Sequence, residues 1–334
     1  MRRHAFLTAL AAAAIAPSGA HATGGLDVEA SPAPQTMRIL LANDVQAEAV
    51  QLDSWHFAWN GRTYRGTFAV VALDGGQMGL VNTLPLEAYL YGVVSEEVSA
   101  AWPSAAQEVQ AILSRTYALG RQRPDRAFDI TASESSQLYD GIEGETVEGR
   151  AAVDATAGLI VSFAGAPAEV AYSACCGGHT ANAADVWGNS VPYLQGVVDP
   201  NCAGTPDYTW TITIPFATVT QALAGRAGLP DPIQRLELRD PDTSGRPRTI
   251  ALIGDGITFV LPAGDFRSAL GDAVLPSTLI RSASVQDTTI VLNGNGHGHG
   301  VGVCQWGARM LAQSVSAPGD ILQFYLPGTS LTQT

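Results

Sequence analysis

The chain has 334 residues, with 31 Asp and Glu against 18 basic residues and four cysteines. Every basic residue is arginine; lysine does not occur. The acidic balance excludes a basic nucleic-acid-binding surface and an electrostatic hold on anionic lipids or polymers.

The first residues read as an export signal. Arg2 and Arg3 form a short positive region, Phe6 to Pro17 an apolar stretch too short to span a bilayer, and Ala20-His21-Ala22 an A-x-A cleavage site. A signal peptide over 1–22 and a mature start near Thr23 are expected. Thr23 to Gln35 is rich in Gly, Ser, Pro and Ala and reads as a flexible leader. No later segment approaches about 20 apolar residues, so an extracytoplasmic protein without membrane insertion after cleavage is expected.

From Arg38 to Val81, short apolar runs (Arg38-Ile39-Leu40-Leu41, Phe68 to Leu73) are broken by Asn60-Gly61 and Asp74-Gly75-Gly76, which are hairpin signals. Leu84 to Glu97 reads as an apolar extended stretch ending on two carboxylates, Glu96 and Glu97. Pro103 to Leu119 is the clearest helix, with Pro103 in its first turn and Val109, Ile112, Leu113 and Thr116 on one face. A weaker helix is expected over Thr146–Ala157. A strand pair is expected from Leu159–Phe163 and Ala168–Tyr172, and a further helix over Phe216–Ala227. Short strands with Gly turns follow from Gln234 to Leu261. Val291 to Leu311 then passes through a Gly-rich turn into a final helix. The sum is an α+β fold, strand-rich, with a few marked helices forming a substrate groove.

A carboxyl on a short turn before a helix can be half-desolvated, hold a proton at neutral pH and act as a general acid. Glu96 and Glu97 both meet that description. The cysteines are Cys175, Cys176, Cys202 and Cys304. In an oxidising compartment disulfides are the first expectation, and a vicinal bridge is strained, so Cys202 is expected to pair with Cys175 or Cys176. Other readings are a thiol nucleophile near His179, zinc on Cys175 or Cys176 with His179 and Cys202, and metal on the His297-x-His299 pair.

Three separated motifs together resemble the SpoIID/LytB-domain family, in its stage II sporulation protein D branch. The first comprises Glu87, Tyr89-Leu90, Gly92-Val93-Val94, Glu97, Gln110-Ala111 and Arg115-Thr116-Tyr117. The second runs from Tyr172 to Thr180, followed by Trp187-Gly188 and Pro192-Tyr193-Leu194. The third is Gly296-His297-Gly298-His299-Gly300-Val301-Gly302-Val303-Cys304-Gln305-Trp306-Gly307-Ala308. Lesser matches are Tyr64-Arg65-Gly66, Gln137-Leu138-Tyr139 and Leu275-Pro276-Ser277-Thr278. The likeness covers 36–334, with a β-rich part at 36–81, a catalytic core at 82–204, a strand-rich lobe at 205–290 and a return to the core at 291–334.

The resemblance implies a lytic transglycosylase that cleaves the MurNAc–GlcNAc β-1,4 bond of peptidoglycan, leaves a 1,6-anhydro-MurNAc end and favours peptide-stripped glycan. It implies location at the cell wall, periplasmic or secreted. The alternative is a non-catalytic peptidoglycan-binding or amidase-enhancer module of the LytB type, with a cell-wall amidase as partner. Counting five residues from Gly92, as the family pattern does, selects Glu97 over Glu96. Substrate-binding roles are expected for Arg115, Gln110, Tyr117, Gln137, Ser173, Gly178, His297, His299 and Gln305. The family usually has Trp where this chain has His297. Some members bind zinc in the segment ending in Gln-x-Tyr. Here Asp129 to Tyr139 contains no Cys or His, so no metal and no cofactor are expected.

Overall fold

The computed structural model describes residues 35–45, 48–133, 136–314 and 317–334. The signal peptide and all of the leader but Gln35 lie outside them. The fold is α+β. A four-stranded sheet opens it, in the order Thr67–Ala72, Met78–Pro85, Thr36–Ala42, Ile130–Thr131. The hairpin signals act as expected: Asn60 and Gly61 turn His56–Trp59 back onto Arg62–Arg65, both with positive φ.

The stretch before Glu97 differs from the extended reading. Only Met78–Pro85 is a strand; Leu86–Glu97 is an α-helix, α1. Its β-branched and aromatic residues suggest a strand, but Leu86, Leu90, Val93 and Val94 fall on one buried face at helical spacing. They pack against Met37 and Ile39 of the sheet. Burying each such side chain contributes roughly 1.5–3 kcal/mol, which outweighs the weak intrinsic preference of Val for strands. Gly92, in mid-helix, is there for close approach. A Cβ would lie 2.8 Å from the Tyr139 ring and 2.9 Å from the Gly141 carbonyl.

The expected helix after Pro103 is α2, Ser104–Gly120, buried on nearly every side. It lies in a second core with Val161, Val301, Val303, Ile321, Leu322 and all four cysteines. Helix Val147–Ala155 forms as expected, with Thr146 accepting the Gly149 N–H as its cap. The strand pair expected from Leu159–Phe163 and Ala168–Tyr172 is re-partnered. Leu159–Phe163 pairs with Ser330–Gln333 and Ala166–Pro167, while Tyr172–Ser173 pairs in parallel with Val303–Cys304. That parallel pairing needs a partner some 130 residues away, which local sequence pattern does not reveal.

A third core lies within 209–295. Thr209–Pro215, Thr289–Asn295 and Ile280–Gln286 form one sheet, and Arg235–Pro241, Pro247–Gly254 and Ile257–Pro262 another. Ile214, Ile250, Leu252, Phe266, Ile290 and Leu292 fill it. The helix expected over Phe216–Ala227 is shorter, Phe216–Ala222. Helix Gln305–Ala312 is not the last; Pro318–Tyr325 follows it, begun by Pro318 at its first turn. Among the described residues no helix is long and apolar enough to cross a membrane.

Candidate active site

Glu97 is the last residue of α1, before the turn to α2. Its carboxyl is half-buried and meets three donors: the Tyr172 hydroxyl, the Gln305 amide and the Leu138 backbone N–H. Burial raises its pKa from 4.5 to about 7; the bonds from Tyr172 and Gln305 oppose that rise and the charge of Glu96 adds to it. The negative end of the α1 dipole acts in the same direction as Glu96. Glu97 can therefore carry a proton at neutral pH and release it, which is the requirement for a general acid that later serves as base.

The donors are themselves held. Gln137 is fully buried, accepts from the Tyr89 hydroxyl at 3.2 Å and donates to the Tyr172 hydroxyl at 3.3 Å. Burial lifts the Tyr172 phenol well above its ordinary range, so it stays a donor toward Glu97. On the other side, Gln305 opens helix Gln305–Ala312 and donates to Gln110 on α2 at 3.2 Å. It also reaches the Glu97 carbonyl at 3.5 Å, and Gln110 in turn donates to Ser114 at 3.1 Å. The structure thus brings Glu97, Gln110, Gln137 and Gln305 into one network.

Tyr172 and Tyr89 join the network around Glu97. The sequence reading gave them no role, although both lie in the quoted motifs. Their aromatic rings read as core, and only the pairing of Tyr172–Ser173 with Val303–Cys304 sets Tyr172 beside Glu97. Tyr172→Phe is expected to move the alkaline limb of the activity profile to higher pH, because the lost bond holds the Glu97 pKa down. A pH–rate series on the variant checks this.

Other expected site residues stand differently. Arg115 is fully buried and faces away from Glu97 along α1. Its Nε and Nη2 grip both oxygens of Glu87 at 2.8 and 2.7 Å, and it donates to the carbonyls of Leu159 (3.0 Å) and Val153 (3.2 Å). Glu87 and Glu97 are ten residues apart on the helix, about 15 Å. Arg115 therefore clamps α1, α2 and the segment after Val147–Ala155 together instead of reaching into the site. The resemblance implies an Arg here as a clamp on the substrate or on the loop that carries Glu97; its partner is Glu87, at the far end of the helix that ends on Glu97.

His299 is buried and its nitrogens are used within the protein. Nδ1 accepts from the Val301 N–H at 3.0 Å, which leaves the proton on Nε2, toward the Tyr172 carbonyl. It packs on Trp187 with ring centroids 5.1 Å apart. Burial first, then Arg267 and Arg246, lowers its pKa to about 3. His299 therefore supports the strand that carries Tyr172. A neutral buried imidazole takes up a proton on unfolding at any pH between about 3 and its ordinary 6.5. Its contribution to stability is present above that window and is lost as pH falls through it. His299→Gln is expected to flatten that acid-side loss in a melting series from pH 7 to pH 4.

His297 lies at the edge, 3.7 Å from Asp207, whose other oxygen accepts from Trp306 Nε1 at 2.6 Å. Trp306 packs on Trp102 at 5.1 Å, and Arg309 stacks over both rings. These two half-buried indoles flank the Glu97 turn. Tyr117 borders a cleft lined also by Arg121, Arg123 and Glu169, with Arg121 4.9 Å from its ring. Ser173 is buried, and its hydroxyl has no partner among the described residues. Gly178 lies in the next loop, where a Cβ would stand 3.3 Å from the Tyr208 hydroxyl.

The disulfide expected for Cys202 is not formed. All four cysteines are free and buried, and the Cys176 and Cys202 sulfurs stand 3.5 Å apart instead of the ~2.05 Å of a bond. Cys304, far along the chain, enters the same cluster.

Comparison with known proteins gives the site a context. The stage II sporulation protein (SpoIID) family profile matches residues 74–163, which includes Glu97, α2 and Gln137. A domain of unknown function, DUF8618, matches 193–302. An uncharacterized protein of Brachyspira hyodysenteriae is 33% identical, over 82% of this chain and 74% of that protein. Stage II sporulation protein D of Bacillus subtilis is 27% identical over 76% of each chain. The amidase enhancer of Bacillus subtilis is 26% identical over 73% of this chain but only 40% of its own length. With the three motifs and the network around Glu97, these matches make the chain a member of the SpoIID/LytB family.

Proposed function

We propose that the chain is an exported peptidoglycan lytic transglycosylase acting at the cell wall, with Glu97 as the single acid and base. The observation that carries this reading is a half-buried carboxyl with a pKa raised to about 7, at the end of α1 and held by Tyr172, Gln305 and Leu138. A hydrolytic glycosidase uses two carboxylates, one to protonate the leaving oxygen and one to act as nucleophile or base. In a lytic transglycosylase the C6 hydroxyl of MurNAc attacks its own C1, so proximity replaces the second carboxylate. Glu97 protonates the departing glycosidic oxygen. The resulting carboxylate then accepts the C6 hydroxyl proton, and the enzyme returns to its starting state. The half-buried Trp102–Trp306 pair is the aromatic surface assigned to stacking of a sugar ring in this reading.

The test is digestion of intact and peptide-stripped peptidoglycan by the purified chain, with products read by mass spectrometry. Anhydro-MurNAc ends from wild type and none from Glu97→Gln are the expected outcome; hydrolysed reducing ends, or equal yield from the variant, would sink the reading. The likeness to the amidase enhancer supports a second reading, in which the chain binds glycan and stimulates a cell-wall amidase. In that case a purified amidase digests wall faster with the chain present, and Glu97→Gln stimulates as well as wild type.

A further inference from the structure

The four cysteines take no part in the chemistry proposed above, yet they come from three distant segments. Cys175 and Cys176 follow the strand Tyr172–Ser173, Cys202 ends the 3-10 turn Pro200–Cys202, and Cys304 closes the strand Val303–Cys304. All are fully buried. One sulfur each from Cys176, Cys202 and Cys304, with a carboxylate oxygen of Asp199, lie within 4.8 Å of one another. We propose that these four residues form a thiolate-rich tetrahedral site for Zn2+, separate from the carboxyl of Glu97.

The spacing supports this. Tetrahedral ligands around zinc stand about 3.8 Å apart for two thiolates and about 3.5 Å for a thiolate and a carboxylate oxygen, given bonds of ~2.3 and ~2.0 Å. Here the Cys176 and Cys202 sulfurs are 3.5 Å apart, and Cys176 Sγ is 3.3 Å from Asp199 Oδ2. Cys175 also approaches Cys202 and Cys304, but its sulfur is not within 4.8 Å of all the others, and disulfides among the four cysteines would leave the Asp199 carboxylate facing the cluster without purpose. A thiophilic dication uses all four.

A second layer orients the donors, as metal sites require. Cys304 Sγ accepts from the backbone N–H groups of Cys176 (3.2 Å) and Gly307 (3.4 Å), the arrangement that suits a thiolate. Asp199 is fixed through Oδ1 by the Asn201 backbone and side-chain nitrogens at 3.0 and 2.9 Å, and through Oδ2 by the Tyr325 hydroxyl at 2.9 Å. Gly307 is necessary here, because a Cβ would collide with Tyr325 and Asp199. Three thiolates and one carboxylate around Zn2+ leave two net negative charges. Buried Arg246 lies against that centre, donating to the carbonyls of Cys176 (2.9 Å) and His179 (3.1 Å), so a positive charge is already in place. His179 itself is outside the set; its Nδ1 faces the Thr180 carbonyl at 2.7 Å. The absence of Cys and His from Asp129–Tyr139, which argued against a metal, does not bear on this location.

The full chain, purified without chelator, is expected to carry one zinc per molecule by elemental analysis. Replacement by Co2+ should give a thiolate-to-cobalt charge-transfer band in the near ultraviolet. Cys175→Ser should keep the metal, whereas Cys176→Ser should lose it. Tyr325→Phe keeps every ligand and should weaken zinc binding roughly 10–100-fold through Asp199. A wild-type chain that holds no zinc, gives no cobalt band and yields a Cys176–Cys202 disulfide peptide on non-reducing mapping would overturn the proposal. The zinc measurement is independent of any transglycosylase assay, so failure of one reading leaves the other standing.

Discussion

Glu97→Gln is expected to abolish formation of anhydro ends and at the same time to make the protein more stable above neutral pH. General acid catalysis contributes roughly 10²–10⁴-fold, and here one group supplies both acid and base, so a loss at or beyond the top of that range is expected. The stability effect follows from the same burial. The folded pKa of Glu97 is about 7 against 4.5 for an ordinary carboxyl, so between those values the native state binds the proton that the unfolded chain has released. Stability from this group is fully present below pH 4.5 and falls as pH rises through about 7. At pH 8 the charged carboxylate costs about 3 kcal/mol, which a neutral glutamine does not incur. Wild type and variant should therefore melt alike near pH 4.5 and diverge toward pH 8, with the inactive variant higher. For wild type, kcat/KM should decline above about pH 7 as the acid loses its proton. Parallel melting curves of the two proteins across that range would show that Glu97 is not desolvated as described.

The second large effect is expected at the other end of α1. Glu87→Ala strands the guanidinium of Arg115, which is fully buried, and a buried charge deprived of its partner costs about 3–5 kcal/mol. Arg115→Met should cost less in electrostatic terms, since the Glu87 side chain is 35% exposed and can be solvated by water. It still removes the bonds to the Val153 and Leu159 carbonyls. Both variants should melt several degrees below wild type while the folded fraction keeps its KM. Thermal melts and steady-state kinetics at low temperature separate the two quantities. If Arg115→Met raises KM with no loss of stability, Arg115 touches glycan and the clamp described here is wrong.

The position of Glu97 at a turn before a helix was legible in the sequence, and the resemblance singled it out from Glu96. The spacing from Gly92 and the helix after Pro103 lie within some thirty residues, and α2 forms where its apolar period puts it. The conformation of the residues before Glu97 was not legible. Tyr89, Tyr91, Val93 and Val94 favour strands on their own, and only packing against Met37 and Ile39 makes the helix win. Tyr172 and Cys304 were missed for a different reason. Their roles arise from the parallel pairing of Tyr172–Ser173 with Val303–Cys304, and no pattern inside either segment announces the other. Arg115 illustrates the reverse: a motif residue whose place in the signature reflects the framework under the site.

The network around Glu97 also has a bearing on the order in which the site is assembled. Glu97 and Gln305 are 208 residues apart in the chain, and Tyr172 is oriented by a strand that ends at Cys304. Contacts of such long range form late, after large loops have closed. A nascent or truncated chain that already contains α1 and α2 still lacks one donor to the carboxyl and the strand that aligns the other. A chain cut before Val303 therefore leaves the carboxyl of Glu97 without the Gln305 amide and without the strand that aligns Tyr172, so the proposed activity would depend on closure of the longest loop in the site.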